Sequence, residues 1–176
     1  MKLIGVECWA DKYFFGRLLN DNNLIRKEKN KQEVLKGVLE RSKGNFSIGI
    51  IDIDDDNQKI NGFDKIFESE NSKILKHNIK YQFLILIGPK EFENWIEDYL
   101  NTRNVNVKDF GFIDFNEFKK KSKTLKPESD EKFRNLINYV FDNFNNDENH
   151  ILKLKKQLEY ILQKKYQFNI DEFQKI

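Results

Sequence analysis

Two short runs limit what this chain can become: FSIGIIDI at 46–53 and YQFLILIG at 81–88. Neither alternates apolar with polar residues, so neither suits a sheet with one face in water. A strand that is apolar on both sides belongs at the centre of a parallel sheet with helices over each face. Helical spacing supplies those covers. In Asp11 to Leu19 (DKYFFGRLL), Tyr13, Phe14 and Leu18 fall on one side with Phe15 beside them. QEVLKGVLERSKG (32–44) puts Val34, Leu35, Val38 and Leu39 on one face and stops at Gly44. EFENWIEDYL (91–100) makes a third helix, with Pro89 just ahead of its first turn. KLIGV (2–6) adds a first strand, and Leu24–Ile25 a weak one. Strand and helix then alternate as in a parallel sheet joined by right-handed crossovers. The expected fold is α/β, a mostly parallel, Rossmann-like sheet flanked by helices. The span 57–77 carries no clear period.

From about residue 116 the pattern changes. FKKKSKTLK (118–126) is basic, PESDEKFRNLINYVFDNF (127–144) opens on a proline and acids before an apolar helix, and HILKLKKQLEYILQKKY (150–166) is amphipathic. The expected organisation is an α/β core over 1–115 and a helical C-terminal lobe over 116–176 packed on it. A length of 176 residues suits one domain, and sixteen Phe and six Tyr give it bulk to bury.

Composition removes several function classes. With 31 basic and 29 acidic residues, the formal charge of +2 does not advertise nucleic-acid binding, although charge can still gather on one face. One cysteine, Cys8, excludes an internal disulfide, and with His77 and His150 far apart there is no zinc pattern. The longest apolar run, near FLILI, is too short for a membrane span, and MKLIGVE has no signal-peptide layout. A reducing cytoplasm is the expected setting.

The acids fall where such a sheet binds ligands, at the carboxyl ends of its strands. Glu7 closes the first strand, and Asp11 follows in the next helix's first turn. Asp52 and Asp54 close the central strand, two apart and so on one face while the chain stays extended. Glu93 lies in the first turn after the strand ending at Gly88. Helix N-termini alone favour Asp11, Glu91 and Glu93, and Asp55 and Asp56 read as turn residues. Capping does not explain acids that end buried strands. A divalent cation would relieve their repulsion, and hard oxygen donors suit Mg²⁺ or Mn²⁺.

GVECWADKYFFGRLL resembles the Toprim signature, a strand ending in Glu with Asp four residues later in an amphipathic helix. IGIIDIDDD resembles that family's second signature, a hydrophobic strand ending in Asp-x-Asp, and the likeness covers residues 2–100. FENWIEDYL is similar to the acidic helix after the last strand of some standalone Toprim-like proteins. Where Toprim proteins usually have Gly after the Glu, this chain has Cys8. The resemblance implies Mg²⁺- or Mn²⁺-dependent phosphodiester chemistry on DNA or RNA, as in a small Toprim-like nuclease. It implies Glu7 as general acid/base or metal ligand, Asp52 and Asp54 as catalytic ligands of the ion, and Asp11 and Glu93 as completing a second metal site. Lys123 and Lys126 are the candidate phosphate contacts. There is no GxxxxGK[ST] loop, so an ATPase would be a separate partner. The apolar face of 150–166 serves either the core or a homodimer.

Other readings stand beside this one. A non-catalytic Toprim-like binding or regulatory module keeps the acids without the chemistry. A haloacid-dehalogenase-like phosphatase fits Asp52-Ile-Asp54 less well, because Asp56 stands where that motif has Thr or Val. A calcium loop fails at Asn57, Lys59 and Phe63. Cys8 reads as a small buried residue, with no neighbouring His to make it a nucleophile.

Overall fold

In the computed structural model, which describes residues 2–53 and 60–176, both apolar runs are inner strands of one sheet. Strand β1 (Ile4–Val6) pairs in parallel with β2 (Ile25–Lys27) on one side and β3 (Ser47–Asp52) on the other. Strand β3 pairs in parallel with β6 (Gln82–Ile87), from Ser47 opposite Gln82 to Asp52 opposite Ile87. Every residue of β1 and all but Asp52 of β3 are buried, as two-sided apolar strands require.

The span without a clear period holds two further strands, β4 (Phe63–Glu68) and β5 (Ser72–His77), where strand–helix alternation would put a helix. They are antiparallel, and β5 pairs antiparallel with β6, giving the order β2-β1-β3-β6-β5-β4. Strand β4 lies at the sheet edge, half in solvent, and Lys65 and Lys73 both pair with its Glu68. Charges on an edge strand block further pairing and also dilute the apolar alternation, so the span reads as featureless.

Helix α1 (Trp9–Leu18) and helix α2 (Lys31–Lys36), which continues as a π-helical turn over Gly37–Arg41, lie on opposite faces. The single helix expected over 32–44 thus changes winding midway. On the α2 face, Gly5 and Gly49 are register partners beneath Val34 and Val38. A Cβ on Gly49 would stand 2.9 Å from the side chains of Leu84 and Val34, so the missing methyl lets α2 lie close to the sheet.

The other face is much thicker. Helix α1, α3 (Phe92–Asn101), α4 (Phe115–Ser122), α5 (Glu131–Asn143) and α6 (His150–Lys164) bury one continuous cluster there with Ile4, Val6, Ile48, Ile50, Phe83 and Ile85. The Phe14 ring lies 5.1 Å from Phe141 and 5.5 Å from each of Phe15, Phe92 and Trp95. The C-terminal helices therefore share the core of the sheet. Side chains of Asp114, Asp130 and Asn149 cap the N-termini of α4, α5 and α6. Among the described residues no helix is long and apolar enough to cross a membrane.

Candidate functional site

The chain leaves β1 toward β2 and leaves β3 toward the opposite edge, so the winding reverses between these two neighbours. A crevice opens at the carboxyl ends of strands at such a switch point. Glu7 and Asp52 stand there, one at the end of each strand. The Asp52 backbone N–H donates to Glu7 Oε1 at 3.0 Å, so Glu7 reaches across from β1 to β3. Asp52 Oδ1 accepts from the Phe92 N–H at 2.9 Å, which ties the end of β3 to the first turn of α3.

Asp11 and Cys8 hold each other through a capping box at the start of α1. The Cys8 N–H donates to Asp11 Oδ2 at 3.0 Å, and the Asp11 N–H donates to Cys8 Sγ at 3.3 Å. Cys8 thus performs the capping task that Ser or Thr usually performs. Burial, with the Asp11 charge beside it, keeps its thiol protonated, against any nucleophilic use. Asp11 itself is 4% exposed, and its Oδ1 is buried with no hydrogen-bond partner among the described residues. Glu93, also buried, accepts a hydrogen bond from the Ser122 hydroxyl of α4.

These acids feel one another. Burial pushes Asp52 up to about 9, with Asp11, Glu7 and Glu93 adding to the rise. Burial pushes Asp11 up to about 7, opposed by its bonds to Cys8 and reinforced by Glu93 and Glu7. Burial also raises Glu93, while the Ser122 hydroxyl works against the shift. On the far side, Glu91 at the start of α3 pairs with both Lys119 and Lys123. That pairing, together with Glu93 and Asp52, strengthens the protonation of Lys123.

The fold therefore sets Glu7, Asp11, Asp52 and Glu93, from three separate segments, close enough for their charges to act on one another, with Lys123 near Asp52 and Glu93. Asp54 lies outside the described residues, as do Asp55 and Asp56. Lys126 is exposed on the α4–α5 connection, next to Leu125 and Asp130. An all-oxygen donor set with one orphaned buried oxygen fits a hard divalent cation in its chemistry. Among the described residues, however, no three His, Cys, Asp or Glu side chains are gathered to hold one ion.

Several partners escaped the sequence reading. Ser122 lies 29 positions from Glu93, and no linear spacing links them. The Glu91 bridge to Lys119 and Lys123 needs α4 folded against α3. Trp9 begins α1 just after Glu7, with Lys12 Nζ 5.1 Å and Lys27 Nζ 5.9 Å from its ring centroid. Lys27 closes β2 two residues beyond Ile25, where the apolar signal of that strand ends. Comparison with family models, with curated proteins and with solved structures returned no match for this chain.

Proposed function

We propose that this chain carries out Mg²⁺- or Mn²⁺-dependent phosphodiester chemistry on nucleic acid, as a small Toprim-like nuclease. The observation that supports this most is the position of Glu7 and Asp52 at the ends of adjacent strands β1 and β3, where the winding of the sheet reverses. Asp52 on its rigid strand end and Asp11 in the adjoining helix turn, raised in pKa first by burial and then by neighbouring charges, are poised to share or pass a proton near neutral pH. Glu7, Asp11, Asp52 and Glu93 would hold the cation together with Asp54. Once bound, the ion would supply the positive charge that a phosphate and a departing oxygen need. Lys123 would meet the phosphate after releasing Glu91. The proposed setting is cytoplasmic, with a separate ATPase or a second copy of the chain as candidate partners.

The decisive experiment pairs a calorimetric Mg²⁺ or Mn²⁺ titration with cleavage assays on DNA and RNA. Wild-type protein is expected to bind the ion and cut one of the two. Glu7→Gln and Asp52→Asn, which keep the hydrogen-bonding shapes, should lower cutting by at least about 100-fold while leaving the circular dichroism spectrum unchanged. Neither metal binding nor cutting by wild type would leave the second reading, a non-catalytic binding or regulatory module. One observation favours that alternative: the described carboxylates are not gathered into a three-ligand set.

A further inference from the structure

We propose that Trp9, Lys12 and Lys27 form a docking surface for single-stranded nucleic acid, with a base stacked on the Trp9 ring and the two lysines on flanking phosphates. The inference rests on the phosphodiester reading of the neighbouring acids and names their substrate as unpaired. Trp9 is partly exposed, whereas the other tryptophan, Trp95, is wholly buried. Core packing therefore explains one indole and not the other. Lys12 and Lys27 are both held over the Trp9 ring, and among the described residues neither has an acidic partner. Beside so many carboxylates, two ammonium groups over one aromatic plate form a separate feature. Contacts of an exposed ammonium with a ring are weak, so a phosphate exchanges for the ring readily.

The placement along the sheet edge gives the surface its direction. Lys27 ends β2 opposite Val6 of β1, Glu7 ends β1, Asp52 ends β3, and α3 follows β6 with Glu91 and Glu93. From β2 to β6 is three strand spacings, about 14 Å. A strand laid along this edge meets Lys12 and Lys27 at one end, the acids in the middle, and Lys119 with Lys123 at the other. The central acids alone repel a phosphodiester, and cations on both sides offset that repulsion. The aromatic plate selects the unpaired form, because a base in a duplex already has both faces stacked.

The test measures binding in EDTA at low salt, without cleavage, using short labelled oligo-dT or oligo-U and the corresponding duplex. Single strands are expected to quench Trp9 emission while buried Trp95 stays bright. Trp9→Ala should bind single strands about tenfold more weakly, and Trp9→Phe should recover most of that loss. Lys12→Gln combined with Lys27→Gln should flatten the dependence of affinity on salt. Absence of quenching in the wild type, full single-strand affinity in Trp9→Ala, or an equal loss for duplex would overturn the proposal. Metal-dependent cleavage that persists in that event leaves the nuclease reading standing alone. Binding through Trp9 without any cleavage supports the docking surface and removes the nuclease.

Discussion

Asp52 concentrates the conflict built into this fold. Its ordinary value near 3.8 rises to about 9 through burial and the charges of Asp11, Glu7 and Glu93. Below about pH 4 the group is protonated in folded and unfolded chains alike. As pH rises toward 9, the unfolded chain gives up this proton and the folded chain keeps it, so stability is lost with rising pH across that window. Asp11 acts with the same sign up to about 7. Urea midpoints measured in EDTA are therefore expected to fall between pH 5 and pH 9. Asp52→Asn, which keeps the acceptor for the Phe92 N–H, should flatten the profile and exceed the parent at pH 9 by at least about 1 kcal/mol. A parent profile that rises over this range would show Asp52 to be solvated. At this scale the sequence made Glu7 and Asp52 visible, because acids closing buried strands defy the usual pattern. It left Ser122 and Trp9 unmarked, since a hydroxyl in a basic run and an indole at a helix start look ordinary until something packs beside them.

Among the elements, the close approach of α2 to the sheet depends on what Gly49 lacks. Gly49→Ala would push a methyl toward Leu84, Val34 and Val38, and is expected to cost about 1–3 kcal/mol in urea unfolding. An unchanged midpoint would mean that α2 can shift away freely. The inner strands and α3, α5 and α6 were legible in sequence, because two-sided apolar runs and helical stripes carry strong periods. The β4–β5 hairpin was not, because an edge strand half in water carries charges in place of a period. The winding change at Gly37 also escaped notice, since a π-turn leaves the apolar stripe of 32–44 almost intact.

For the whole molecule, the helical lobe expected to pack on the sheet over 116–176 shares one buried cluster with it. Phe133, Leu136, Val140, Ile151, Leu154 and Leu158 belong to the same buried cluster as Ile4, Phe14 and Trp95. A fragment ending at residue 115 would expose the aromatic cluster around Phe14, and losing even one large core side chain costs about 3–5 kcal/mol. That fragment is expected to lack a cooperative thermal transition, which scanning calorimetry reads directly, and a sharp melt would show the first 115 residues to fold without the lobe. The α/β class, the inner strands and the acids at their ends are readable in the chain alone, because each is written in local hydrophobic period and in charge placed against it. Packing in three dimensions makes β1 and β3 neighbours, brings Ser122 to Glu93, and sets Lys27 over Trp9. Those relations join segments far apart in the chain, and strand order and helix packing set them where no local pattern records them.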